Sequence, residues 1–156
     1  MKLRMLAVGT RMPDWVEIGC NEYAKRLPPE LRVQAVDIPL GSRGKSQSNA
    51  KAIESEGQAL LKAIGQRDFV VALDVQGRTM STEGLAAKLS HWQMVGRDIS
   101  LLIGGPDGLS ADCLIRADMR WSLSALTLPH PLVRIVLMEQ LYRAWTINAN
   151  HPYHRS

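Results

Sequence analysis

Short runs of apolar residues alternate along this chain with longer stretches in which apolar positions recur every three or four residues. Leu3–Val8 reads as a buried strand ending at Gly9-Thr10. Asp14 is placed to cap a helix reaching about Arg26, closed by Leu27-Pro28-Pro29. Residues 32–38 alternate polar and apolar, as a strand at or near a sheet edge does, and 39–45, PLGSRGK, reads as a flexible basic loop. A helix from Asn49 to about Ile64 stops at Gly65. The continuous apolar strand 69–73, FVVAL, ends at Asp74, and Gly77 marks a loop. Ser81-Thr82-Glu83 opens a helix to Val95, ended by Gly96. A third buried strand, 99–103, breaks into GGPDG, and Ser110 caps a short helix to about Ala117. Residues 121–126 form a last strand or extended segment, and 132–147 the final helix.

Strands separated by helices predict an α/β fold, a mainly parallel sheet with helices on both faces, in a single domain spanning 1–156. Ligands of such sheets sit outside the carboxyl ends of the strands. Leu73-Asp74, Gly104-Gly105 and 125–128 all fall there. The stretch 121–131, WSLSALTLPHP, mixes apolar residues, small hydroxyls and prolines. It offers backbone polar groups inside an apolar wall, as a pocket for a flat heterocycle does. The final helix carries two apolar stripes, one of Val133, Val136, Leu137 and Leu141, the other of Ile135, Met138, Tyr142 and Trp145. One meets the sheet. The other needs a second copy of the chain or another helix of the same chain.

With 156 residues the chain can bury a real core, and a net charge of +4 permits a polyanionic partner without demanding one. Cys20 and Cys113 lack a C-x-x-C spacing and read as buried small hydrophobes in a reduced compartment. Met5–Val8 is too short for the apolar core of a signal peptide, and no apolar run spans a bilayer. The expectation is a cytoplasmic protein without membrane contact.

GGPDG is neither G-x-G-x-x-G nor a P-loop, so it reads equally as a ligand-approach loop or a tight turn. His130, between Pro129 and Pro131, is expected to be extended; it lines the pocket or is a loop residue, and no chemical role is expected of it. His130, His151 and His154 lack a fourth ligand at a recognisable spacing, so no metal is expected. Arg134, Arg143 and Arg155, with Arg43 and Lys45, are candidate phosphate contacts or ordinary surface charge.

The blocks MKLRMLAVGTRMPDWV, GSRGK, SLLIGGPDGLS, WSLSALTLPHPLVR, LYRAW and NHPYHR, in this order, closely resemble the RlmH family of small SPOUT-superfamily methyltransferases. The likeness runs from Met1 to Arg155. One departure is Asp107, acidic where the family carries Glu. The resemblance implies a homodimer with a C-terminal trefoil knot. It also implies transfer of a methyl group from S-adenosylmethionine to N3 of a pseudouridine in large-subunit (23S) ribosomal RNA. By the same resemblance Leu73, Gly104, Gly105, Leu123, Ser124, Ala125, Leu126, Thr127 and Leu128 match the cofactor-binding positions.

An imide N3 must lose its proton, which a base or a cation stabilising the anion assists. On this reading His154 is the candidate base, Arg155 and Arg143 stabilise charge, and Tyr153 offers a stacking surface to the target base. The tail of one subunit would complete the pocket of the other, and the substrate would be an assembled ribosome. The competing readings are a non-catalytic ribosome-binding factor, another SPOUT specificity, and a small-molecule nucleotide enzyme.

Overall fold

The computed structural model describes residues 1–44 and 48–154. Five strands, β1 (Leu3–Val8), β2 (Val33–Ile38), β3 (Phe69–Thr79), β4 (Ile99–Ile103) and β5 (Met119–Ser122), form one sheet in the order β2-β1-β4-β3-β5. Every pairing is parallel. The carboxyl ends of all five strands therefore share one edge.

The connections are helices, as parallel crossovers require: α1 (Asp14–Ala24), α2 (Asn49–Ala63), α3 (Thr82–Val95), α4 (Ala111–Arg116) and α5 (His130–Asn148). Side-chain alternation along β1 sends Leu3, Met5 and Ala7 into a core with α1, α3 and α5. Leu6 and Val8 enter a second core with α2 and α4. Both faces of the sheet are covered, which is the predicted architecture.

The local signals hold where the chain decides alone. The Ser81 hydroxyl accepts from the Gly84 N–H, and Gly96 ends α3 at φ +79°. The Ser110 hydroxyl accepts from the Cys113 N–H at 3.2 Å.

Four expectations need correction. Asp14 is the first helical residue of α1, not its cap; Pro13 occupies that position without a side-chain bond. β3 does not end at Asp74, and Gly77 is not in a loop. After an irregularity the strand pairs with β5 again, so that both Leu73 and Arg78 face Trp121. A Cβ on Gly77 would lie 2.7 Å from the Trp121 nitrogen, so glycine there permits close approach of two backbones. β5 stops at Ser122, and the following residues up to Pro129 are irregular. Finally, α5 begins at His130: Pro131 is tolerated in the first turn, where its missing N–H has no helical partner to lose.

The second stripe of α5 is met from within the chain. Gly19 of α1 lies against Ile135, and Tyr23 against Tyr142 at a 6.3 Å centroid separation. On the other flank Thr82 of α3 donates to Gln140, and Asn148 donates to the Ala86 carbonyl.

Candidate functional site

A cavity of about 620 Å³ opens beyond the carboxyl ends of β4 and β5, beside the irregularity that follows Leu73 in β3. It brings together Leu73, Gly104, Gly105, Leu123, Ser124, Leu126 and Leu128, drawn from three separate stretches of sequence. Ala125 and Thr127 are exposed and do not line it. The volume lies in the usual range for small-molecule pockets, and leucines alternate there with open backbone. Two serine contacts shape the floor: the Ser122 hydroxyl donates to the Ser124 carbonyl, and the Leu126 N–H donates to the Ser124 hydroxyl.

The loop from Gly104 to Gly108 is both a tight turn and a cavity wall. Gly108 has φ +83°, and its N–H donates to the Gly105 carbonyl at 3.0 Å. A Cβ on Gly104 would lie 2.6 Å from the Gly108 carbonyl carbon. From outside, Arg43 donates to Asp107 at 3.0 Å and to Glu56 at 2.6 and 3.2 Å. Glu56 also accepts from the Gly41 N–H. These hydrogen bonds to two carboxylates hold the Arg43 guanidinium even more firmly protonated than usual. The expected free basic loop is thus tied to the cavity wall, and Arg43 is not available for phosphate. Lys45 lies outside the described residues.

Arg134 is also withdrawn from any phosphate role. Its guanidinium is buried and donates to Asp37 at 2.7 Å, to the Gly9 carbonyl at 2.8 Å and to Nε2 of His130 at 3.1 Å. His130 in turn lies 3.0 Å from the Gly104 carbonyl through Nδ1 and lines the cavity. The expectation of an extended backbone at His130 is corrected, since it is the first residue of α5, and of its two readings it is the pocket-lining one that the cavity matches. The signal for its contact with Arg134 was their spacing, one helical turn apart once the helix starts at His130.

The candidate catalytic residues lie elsewhere. Pro152–His154 forms a 3₁₀ turn against α5. The Tyr153 hydroxyl donates to Glu139 at 3.1 Å, and Arg143 donates to the same carboxylate at 2.8 Å through Nε. The Arg143 guanidinium lies over the Tyr153 ring at 5.0 Å, and the Tyr142 ring is 4.6 Å away. Burial first, then the charge of Glu139 and the hydrogen bond to it, push the Tyr153 phenol up to about 12. Nδ1 of His154 is buried and, among the described residues, makes no hydrogen bond. Arg155 lies outside the described residues. Glu139, which organises this cluster, was not singled out from the sequence; its place one turn before Arg143 was the available clue.

Among the described residues the two halves do not meet within one chain. His130 and Val133, at the start of α5, line the cavity, whereas Tyr142 and Glu139 hold the tail. Residues 130–142 of a helix rise about 18 Å. Neither Arg143, Tyr153 nor His154 lines the cavity.

Among the described residues no group of three or more His, Cys, Asp or Glu side chains is placed to hold a metal, and no helix is long and apolar enough to cross a membrane. Cys113 is buried and Cys20 partly so, and burial raises both thiols above their ordinary range.

Residues 1–154 match the family described as "Predicted SPOUT methyltransferase". A protein of Saccharophagus degradans named ribosomal RNA large subunit methyltransferase H is 60% identical over 99% of this chain and all of its own length. One of the same name from Chromohalobacter salexigens is likewise 60% identical over the same shares. Among solved structures, a probable methylase family protein from Haemophilus influenzae Rd KW20 superposes with a TM-score of 0.60 at 12% identity. It covers 99% of this chain and 70% of that one, and the likeness is one of fold.

Proposed function

The chain belongs to the SPOUT methyltransferase family, and from that premise we propose that it methylates large-subunit ribosomal RNA at N3 of a pseudouridine, with S-adenosylmethionine as donor. The observation that carries this reading is the cavity beyond the ends of β4 and β5, beside the irregularity of β3. There Leu73, the Gly104-Gly105 backbone, Leu123, Ser124, Leu126 and Leu128 converge, in a chain 60% identical over its length to relatives named for that rRNA.

The cavity fits the donor. Its leucines suit the faces of an adenine, and the backbone of Gly104 and Gly105 lines the wall beside them. When bound, S-adenosylmethionine supplies an activated methyl group on a sulfonium, so the chain needs to supply no metal or covalent intermediate. Leu73, Gly104, Gly105 and 123–128 hold and orient the donor, Ala125 and Thr127 through their place in that segment. His154 is the base assigned to the N3 proton. Arg143 and Arg155 stabilise the resulting anion, and Tyr153, a neutral phenol at physiological pH, provides a surface for the target base.

Because tail and cavity sit at opposite ends of α5, the working site combines the cavity of one subunit with the tail of another, in a homodimer. Trp15 and Ile18 on α1 and Leu132 on α5 are 52%, 68% and 40% exposed and lie within about one turn of the Gly19–Ile135 contact. They offer an apolar surface to a second copy. A net charge of +4 grips naked RNA weakly, so the substrate is the assembled ribosome, in the cytoplasm.

The deciding experiment is methyl transfer from labelled S-adenosylmethionine to ribosomes lacking the modification, followed by mass mapping of the rRNA. One mark at N3 of a pseudouridine is expected. Binding of the donor with no transfer, or equal activity on deproteinised rRNA, would overturn the reaction or the ribosome requirement respectively.

A further inference from the structure

His130 lines the donor cavity with no ring nitrogen to spare. A guanidinium can only donate, so Nε2, which receives the Arg134 Nε–H, carries a lone pair. The ring proton is then on Nδ1 and is donated to the Gly104 carbonyl at 3.0 Å. The other arms of Arg134 reach Asp37 and the Gly9 carbonyl, so one side chain braces the ends of β1 and β2. Through His130 that brace extends to the end of β4.

We propose that His130 is a positioning residue for donor binding: held by Arg134 as the neutral Nδ1–H tautomer, it fixes the Gly104 carbonyl, and its protonation releases the cavity wall. The inference rests on the methyltransferase reading and deepens it. A charged imidazole would present an N–H to the Arg134 N–H and a cation to a cation. That contact cannot persist in a buried place. The charged groups around the ring are Arg134 on α5 and Asp37 on β2. The Gly9 and Gly104 carbonyls approach from the ends of β1 and β4, and Asp74, Arg120 and Asp107, the last paired with Arg43, line the same cavity. Burial, then Arg134, depress the His130 imidazole below its usual range against the smaller opposing pull of the Gly104 carbonyl and Asp37. Donor affinity is therefore flat at neutral pH and falls once pH drops below the ordinary histidine range.

The test measures binding of S-adenosylmethionine and S-adenosylhomocysteine by calorimetry between pH 5 and 8. The proteins are the wild type, His130→Ala, His130→Asn and His130→Gln. An Asn amide nitrogen takes the place of Nδ1 and keeps the donor to Gly104. A Gln amide oxygen takes the place of Nε2 and keeps only the acceptor for Arg134. His130→Ala is expected to bind about tenfold more weakly, the worth of one hydrogen bond. His130→Asn should recover most of that loss and show no weakening in acid, while His130→Gln should not recover it. Ring ¹⁵N shifts of the wild type, which need no variant, should report Nδ1–H. An Nε2–H ring, an unchanged acid limb in His130→Asn, or equal rescue by Gln would overturn the proposal. If the wild type binds neither ligand at pH 7.5, the methyltransferase reading falls and takes this one with it. If it binds both and the variants bind alike, only the role of His130 falls.

Discussion

Arg43 and Glu56 meet at 2.6 Å, with the carboxylate only 2% exposed. The pair joins a loop after β2 to α2, and through Asp107 to the wall of the cavity. A buried carboxylate costs several kcal/mol to desolvate, and here its hydrogen bonds to Arg43 and Gly41 offset that.

Removing Arg43 leaves the buried Glu56 side chain with the Gly41 N–H as its remaining partner. Arg43→Ala should lower the unfolding free energy by about 3 kcal/mol in urea titration. Glu56→Ala should cost less than Arg43→Ala, because the freed guanidinium is partly exposed and keeps Asp107. Both variants should bind the donor more weakly, since Asp107 or its arginine has lost an anchor. Wild-type stability of Arg43→Ala would show that the pair is not a structural tie.

Backbone crowding makes Gly77 and Gly104 intolerant of a methyl group. Gly77→Ala places Cβ 2.7 Å from β5 backbone, which cannot rotate away. A loss of about 2 kcal/mol is expected by thermal melting. Gly104→Ala meets the Gly108 carbonyl carbon at 2.6 Å and should lose donor binding as well. Gly44, where an added Cβ would meet nothing within 4 Å among the described residues, is the control, and Gly44→Ala should match the wild type in both measurements.

The distance between tail and cavity separates binding from chemistry. Deletion of residues 151–156 should leave donor affinity within about threefold of wild type, because no described tail residue lines the cavity, yet abolish methyl transfer. Mixed dimers sharpen the point. A tail-deleted subunit paired with a Gly104→Ala subunit should retain activity at one composite site, where the intact cavity meets the intact tail. Inactivity of that mixture would place each site within one chain.

Tyr153 should remain a phenol far into the alkaline range. With its pKa raised to about 12 from an ordinary value near 10, ultraviolet difference titration should find one tyrosine ionising late. The sign for stability follows. Between about pH 10 and 12 the unfolded chain releases this proton and the folded one keeps it, so the contribution of Tyr153 is full below pH 10 and is lost as pH rises. Tyr153→Phe should remove the late transition and leave the pH profile of methyl transfer near neutrality unchanged in shape. A shifted profile would make the phenol a proton acceptor.

The sequence by itself determined the elements that close on themselves. Apolar runs made β1 and β4, helical spacing made α2 and α3, and Ser81, Gly96 and Ser110 ended their helices through neighbours three or four residues away. Because parallel strands expose their ends on one edge, the sequence pointed Leu73-Asp74, Gly104-Gly105 and 125–128 to one place, and the cavity takes Leu126 and Leu128 of the last stretch. Tertiary structure alone decided what depended on partners distant in the chain. β3 continues past Asp74 because β5, more than forty residues on, supplies hydrogen bonds again at Trp121. Arg134 looked like a phosphate contact until folding brought Asp37, 97 residues away, to within 2.7 Å. Arg43 was taken up by Glu56 and Asp107 in the same way. A local pattern carries the energetics of a turn or a cap. Which charge is neutralised, and which end of α5 a tail lies against, is set by contacts whose loop-closure entropy only the completed core offsets.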